Sequence, residues 1–150
     1  SLDVSVQAQI LELLQSLQTE HGITLMFISH DLAVVNQLAD EVIVMYRGQL
    51  VEQCPARQFF TAPAHPYSRA LLSFAQVDTS SGPVDAQWRL QAGGNNRDKP
   101  ARCLFAEHCG ESMETCLQTE PRLWPLSGEN NNTSGPHCVK CHLYTDSETP

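Results

Sequence analysis

The sequence predicts an α/β fold over residues 1–76, followed by a small, irregular and cysteine-rich extension over residues 77–150. In the first region, segments with apolar residues at helical spacing alternate with short continuous apolar runs. This alternation of helix and buried strand is typical of a layered domain with a parallel sheet. After about residue 76, turn-forming residues become frequent and apolar residues become sparse, which indicates a second region.

The first helix is predicted to begin after Asp3, whose side chain can cap it, and to run to about Glu20. Its apolar residues recur at helical spacing: Val4, Ile10, Leu11, Leu14 and Leu17. Gly22 is expected to end this helix.

The elements that follow alternate between strand and helix. Residues 23–28 form a short continuous apolar run, which predicts a buried strand. Residues 31–38 predict a second helix, and residues 42–46 predict a second strand. Arg47-Gly48 predicts a turn into a hairpin partner over residues 49–53. Two further helices are predicted, over residues 57–60 and 66–75.

The composition argues against two broad functional classes. The chain has 150 residues, a formal net charge of −8 and a sequence pI near 5.1. Nucleic-acid-binding proteins usually present basic surface, so this charge argues against such a partner. No stretch of the sequence approaches the roughly 18 consecutive apolar residues that predict a membrane-spanning helix.

Four cysteines are spaced through the second region: Cys103, Cys109, Cys116 and Cys141. Four thiolates that converge on one point form a metal or iron–sulfur site. An iron–sulfur cluster tolerates this unequal spacing, whereas Zn²⁺ prefers two close pairs, and only Cys138 and Cys141 form such a pair. Disulfides are the third hypothesis. Because the region has few apolar residues for a core, we expect the cysteine site to cross-link and stabilise it.

His30 is the candidate catalytic residue of the first region. It directly follows the predicted buried strand and precedes a predicted helix, where α/β sheets present groups to ligands. A neutral imidazole there can donate a hydrogen bond to a phosphate and contact a water molecule with its other nitrogen. The alternative hypothesis is that His30 only caps the following helix.

The motifs together are more informative than any one of them. They are Ser1-Leu2-Asp3-Val4-Ser5-Val6-Gln7-Ala8-Gln9, Phe27-Ile28-Ser29-His30-Asp31-Leu32, Arg47-Gly48-Gln49-Leu50-Val51-Glu52, His65-Pro66-Tyr67, the four spaced cysteines, Glu120-Pro121 and Cys141-His142. This set resembles the C-terminal part of ATP-binding cassette (ABC) ATPases, and within them the ATP-binding subunits of oligopeptide/dipeptide importers. The histidine alone would indicate only an ABC ATPase, whereas the His-Pro-Tyr motif with the cysteines is far more specific.

The resemblance implies roles for individual residues. His30 would be the switch histidine, which contacts the γ-phosphate of ATP and helps to hold the attacking water. Asp3 would be the aspartate of the D-loop, which acts across a dimer interface. The four spaced cysteines would hold a [4Fe–4S] cluster, with Cys138 as the alternative to Cys141 and Zn²⁺ as the alternative occupant.

The resemblance also implies cofactors and partners. The complete protein would bind ATP and Mg²⁺, pair with a second ABC ATPase subunit in a homo- or heterodimer, and drive two transmembrane permeases. It would act indirectly with a solute-binding protein, at the cytoplasmic face of the bacterial inner membrane. The sequence contains no phosphate-loop motif, which in the family precedes the D-loop, so we expect this chain alone not to hydrolyse ATP.

A second functional hypothesis is a non-enzymatic iron–sulfur or zinc module with a regulatory or redox-sensing role.

Several single residues are expected to have structural roles only. His65 and Pro66 are expected to fix the start of a helix against which Tyr67 packs. Cys54 is interpreted as a small residue at the end of the hairpin, and His137 and His142 are predicted to lie on the surface.

Overall fold

The computed structural model describes residues 4–75, 102–126 and 136–144. It divides into two units, Ser1–Ala39 and Asp40–Pro150, which are described separately below. Asp3 lies outside the described residues. No helix in the described part of the chain is both long enough and apolar enough to cross a membrane.

The first unit contains two helices, α1 (Val4–His21) and α2 (Leu32–Leu38). Gly22 ends α1 as predicted, since it takes a positive φ of 60° and its N–H donates to the Gln18 carbonyl at 3.0 Å. The Asp31 carboxylate caps α2 by accepting from the N–H groups of Ala33 and Val34. Local capping and turn signals therefore account for both helices.

The predicted strand over residues 23–28 is wrong for this structure. The segment has no regular secondary structure and pairs with no strand among the described residues. Most of its apolar side chains are exposed, with Met26 91% and Ile28 96% accessible, whereas Leu25 is partly buried. A buried strand needs neighbours that satisfy its backbone N–H and C=O groups, and the first unit offers none among its described residues.

The second unit is built on a four-stranded antiparallel sheet. Its strands are β1 (Glu41–Tyr46), β2 (Gln49–Pro55), β3 (Leu123–Pro125) and β4 (Cys138–Lys140), in the order β1-β2-β4-β3. The predicted hairpin is confirmed, because β1 and β2 pair across Arg47-Gly48, both of which have positive φ. The parallel sheet expected from the alternation is wrong, since every pair in this sheet is antiparallel.

Short helices surround the sheet. They are α3 (Ala56–Thr61), α4 (Pro66–Ala75), a 3-10 turn (Ala106–His108) and α5 (Glu114–Gln118). The first two match the helices predicted over residues 57–60 and 66–75. The fold is thus a mixture of helices and a small antiparallel sheet.

Strand β1 is buried on one of its two faces. On β1, Val42, Val44 and Tyr46 are buried, whereas Ile43 and Met45 alternate with them on the exposed face. Strands β2 and β4 come from opposite sides of the predicted domain boundary near residue 76, so the two predicted regions share one sheet.

Candidate functional site

His30 lies in a short turn immediately before α2. Its neighbour Ser29 accepts a hydrogen bond from the Asp31 N–H at 3.0 Å, and Asp31 caps the helix, so the backbone on the C-terminal side of His30 is held by local hydrogen bonds. The His30 side chain is exposed, and the described residues give its imidazole no hydrogen-bond partner. The hypothesis that His30 caps the helix is wrong, because Asp31 does so. The imidazole is therefore available to a ligand.

The second unit brings four cysteines close together. Cys103 and Cys116 are joined through their backbones, since the Cys103 N–H donates to the Cys116 carbonyl at 3.0 Å. Cys109 follows the 3-10 turn, and Cys141 directly follows β4. All six cysteines of the chain are free thiols.

The electrostatics of these thiols reflect their proximity. Burial raises the pKa of Cys103, and the neighbouring Cys116 thiol adds to the rise. Burial also raises the pKa of Cys109, with smaller contributions in the same direction from Cys103 and Cys116. Burial, and to a smaller extent the other three thiols, raise the pKa of Cys141 to about 11. The four thiols thus form one electrostatically coupled group.

The four thiols do not belong to the compact set of metal-type ligand atoms found among the described residues. A tetrahedral site with Zn–S bonds of about 2.3 Å would hold its sulfurs roughly 3.8 Å apart. Among the described residues, the one set of three or more metal-type ligand atoms within 4.8 Å of one another is Glu52, Cys54 and His137. The four thiols are therefore not preformed as a compact tetrahedral zinc site.

Cys138, the alternative fourth ligand, occupies a different position. It lies on β4, where it pairs with Gln53 on one side and Pro125 on the other. Cys141 lies beyond the end of that strand and is buried with Val139 and Ala64.

Unpartnered polar atoms lie near the four thiols. The buried Tyr46 hydroxyl, the Arg102 Nε and the His108 Nε2 have no hydrogen-bond partner within the described residues. Arg102 and His108 are the neighbours in sequence of Cys103 and Cys109, and the Cys103 thiol contributes to a raised pKa of Tyr46 that is due mainly to burial. A buried donor without an acceptor is costly, so an acceptor group near Cys103 would stabilise the Tyr46 hydroxyl and the Arg102 Nε–H.

A buried carboxylate lies on β2 in the same unit. Glu52 on β2 is fully buried and accepts hydrogen bonds from the N–H groups of Ala64 at 2.7 Å and His65 at 2.9 Å. Its Oε1 also lies 2.9 Å from the Nε2 of His137, and the Cys54 thiol contacts it at 3.9 Å. The prediction of a surface position for His137 is wrong, because this contact buries it.

The predicted structural role of His65 is confirmed. Its ring is buried at the start of α4, and its Nδ1 accepts a hydrogen bond from the Tyr67 N–H at 3.0 Å. Burial lowers the pKa of His65 to about 4, so the ring is neutral near pH 7. The ring also bonds the Lys140 backbone. This link to β4 was not predicted, and no signal in the sequence points to it.

The sequence of this chain is similar to those of known proteins. Residues 51–116 match the family described as the oligopeptide/dipeptide transporter, C-terminal region. The dipeptide transport ATP-binding protein of Escherichia coli (strain K12) is 41% identical over 153 residues, which cover 100% of this chain and 42% of that protein. The dipeptide transport ATP-binding protein of Haemophilus influenzae is 38% identical over 143 residues, 95% of this chain and 40% of that protein. The chain thus spans about two-fifths of the length of these curated relatives.

Proposed function

We propose, from the premise that this chain belongs to the oligopeptide/dipeptide transporter family of ATP-binding proteins, that it forms the C-terminal part of the ATP-binding subunit of a peptide-type ABC importer. The observation that carries the proposal is the combination of the 51–116 match with similarity along the whole chain. The whole subunit would hydrolyse ATP with Mg²⁺ and couple this to solute uptake. A free-standing regulatory module is not favoured, because the relatives are named for transport and ATP binding.

Within this function, His30 would contact the γ-phosphate and orient the attacking water. Its exposed imidazole, on a turn braced by Ser29 and Asp31, supports that role. Phosphoryl transfer depends mainly on positioned donors and charges, which such a residue supplies. Asp3, by family resemblance, would act across the interface with a second ATPase subunit.

Membership of the family supports a proposed assembly. The subunit would pair with a second ATPase subunit, bind two transmembrane permeases at the cytoplasmic face of the inner membrane, and act indirectly with a solute-binding protein. The region matched over residues 51–116, with its His-Pro-Tyr motif and cysteines, would be the part that distinguishes peptide importers from other ABC ATPases.

We also propose that Cys103, Cys109, Cys116 and Cys141 hold a [4Fe–4S] cluster. The residues fit this group, because the other three thiols are near enough to Cys141 to raise its pKa, and two residues with unpartnered donors, Tyr46 and Arg102, are associated with Cys103. The sulfur atoms of a bound cluster would accept hydrogen bonds of this kind. The cluster would supply a covalent cross-link between distant segments of a region with a small core.

The ATPase role is tested by the substitution His30→Ala in the complete subunit, purified with its permeases. We expect turnover to fall about a hundredfold or more, with nucleotide binding retained, because one positioned contact to the transition state is lost. The matched control is His21→Ala, which removes an exposed histidine from the last turn of α1. Near-normal steady-state ATP hydrolysis by His30→Ala would contradict the proposed role.

A further inference from the structure

Cys141 follows a short strand. Strand β4 has three residues, which pair with β3 on one side, whereas on the other side its register with β2 covers the pairs Glu52–Val139 and Gln53–Cys138. A short ladder of this kind specifies position weakly. Side-chain contacts must therefore contribute to where Cys141 lies.

The Glu52 carboxylate holds the residue before this strand. It binds His137 through one oxygen, and it accepts from the N–H groups of Ala64 and His65 at the entry to α4. One buried carboxylate thus joins β2, the entry to α4 and the start of β4. A buried carboxylate is stable only when its oxygens are well hydrogen-bonded, and these three contacts provide that.

Ala64 and His65, at the start of the His-Pro-Tyr segment, contact the residues on both sides of Cys141. His65 bonds the backbone of Lys140, and because its Nδ1 accepts from Tyr67, the Nε2–H is the group that donates to the Lys140 carbonyl. On the other side, the Tyr144 hydroxyl donates to the Ala64 carbonyl at 3.1 Å. Cys141 lies between these two contacts.

The same motif also contacts the segment that carries the other thiols. The Phe105 ring lies between Cys103 and Cys109 in the chain, and it packs 5.4 Å from the Tyr67 ring and 5.9 Å from the His65 ring. Phe105 is buried, so this packing is part of the core. The motif therefore touches both cysteine-bearing segments at once.

We propose that Glu52 and His65 are positioning residues that bring Cys141 into register with Cys103, Cys109 and Cys116, so that the His-Pro-Tyr motif and the cysteine array act as one unit. The proposal deepens the cluster site proposed above and rests on it. The motif would then fix the position of Cys141 through its contacts to the end of β4.

Glu52, Cys54 and His137 are also a donor set suited to a metal ion, since their ligand atoms lie within 4.8 Å of one another. Two backbone N–H groups and the imidazole already bind the carboxylate. Burial, and to a smaller extent Glu52, raise the pKa of the Cys54 thiol to about 12, which keeps it protonated. The geometry therefore favours an anchor for β4 over a second metal site.

The test measures the reactivity of each cysteine in the metal-free full chain, by timed alkylation and mass spectrometry. In His65→Ala and in Glu52→Gln, we expect Cys141 to react about tenfold faster, the increase in local opening that follows from losing a buried hydrogen bond. Cys116 should keep its slow rate in both variants, and Cys54, whose thiol contacts Glu52, should keep its slow rate in His65→Ala. His65→Gln, which retains an amide donor near the Nε2 position, should restore part of the protection. The matched controls are the variants His21→Ala and Glu114→Gln, which change exposed residues.

The outcomes are distinguishable. Unchanged reactivity of Cys141 would overturn the proposal, and so would an equal rise at every cysteine, because that indicates general unfolding. Tyr144→Phe removes a single hydroxyl and tests the same anchor if the other variants fail to fold. Zinc binding should also be measured in a chain that carries Cys103→Ser and Cys116→Ser. If that chain binds zinc and loses it when Glu52→Gln is added, the proposal is overturned in favour of a second metal site. If the wild-type chain contains neither iron nor sulfide after anaerobic purification, the proposed cluster is contradicted. The alkylation pattern still tests whether Glu52 and His65 position Cys141.

Discussion

The two units of this chain are held by interactions of different range. In the first unit, the hydrogen bonds that define α1 and α2 join residues within one or two turns, and large apolar side chains such as Met26 remain exposed. In the second unit, Glu52 contacts His137, which is 85 residues away in sequence. We therefore expect a substitution in the first unit to affect only nearby residues. A substitution in the second unit should affect segments that are distant in sequence.

The largest expected effect comes from removing a thiol of the four. In Cys116→Ser, we expect loss of bound iron and faster proteolysis of residues 102–144, with residues 4–39 unaffected, because the cross-link belongs to the second unit alone. Iron and acid-labile sulfide analysis after anaerobic purification measures the first effect. Cys138→Ser is the matched control and should retain iron. Stoichiometric zinc without sulfide would contradict the cluster assignment.

The next effect compares one phenylalanine from each unit. Phe59→Ala removes a ring that is 1% exposed in the second unit, and we expect it to lower the free energy of unfolding by about 3–5 kcal/mol. Phe27→Ala removes a ring that is 37% exposed in the first unit, so its cost should be well below that. Urea denaturation of both variants measures the two costs. Equal costs would contradict the distinction between the units.

A smaller effect is expected on acidification, and it should belong to the second unit. Burial lowers the pKa of His65 from 6.5 to about 4, while Glu52 opposes and Arg69 assists that change. The unfolded chain therefore binds a proton that the folded chain excludes, so stability decreases as the pH falls from 6.5 to about 4. The loss should be on the order of 3 kcal/mol.

Urea midpoints at pH 7 and pH 4.5 measure this loss in the wild-type chain and in His65→Gln. The glutamine variant has no titrating group at this position, so it should lose less stability over the same range. A pH dependence that is the same in both chains would show that His65 is not the source.

The smallest effect is expected in the first unit. Asp31→Ala removes the carboxylate that caps α2, and we expect a loss of about 1 kcal/mol of helix stability. Amide hydrogen exchange should increase within residues 32–38 and remain unchanged in β1 and β2. Faster exchange in the sheet would show that the first unit is not governed by local contacts alone.

The elements that could be predicted from the sequence are those set by signals a few residues long. Gly22 ends a helix, Arg47-Gly48 turns a hairpin and Pro66 begins α4, and each does so through its own backbone preferences. The run over residues 23–28 was predicted wrongly for the complementary reason. Its composition favours a strand, but pairing depends on a neighbour that its own sequence does not contain.

Some features of the candidate site could likewise be predicted from the sequence, and others could not. The spacing of the cysteines and the turn that carries His30 are visible in the sequence, because residue type and position suffice to suggest them. The burial of His137, the contacts of Glu52 and the bond from His65 to Lys140 were decided only by tertiary packing. A polar side chain is compatible with either solvent or a buried partner, and which of them it meets depends on how segments far apart in sequence are brought together.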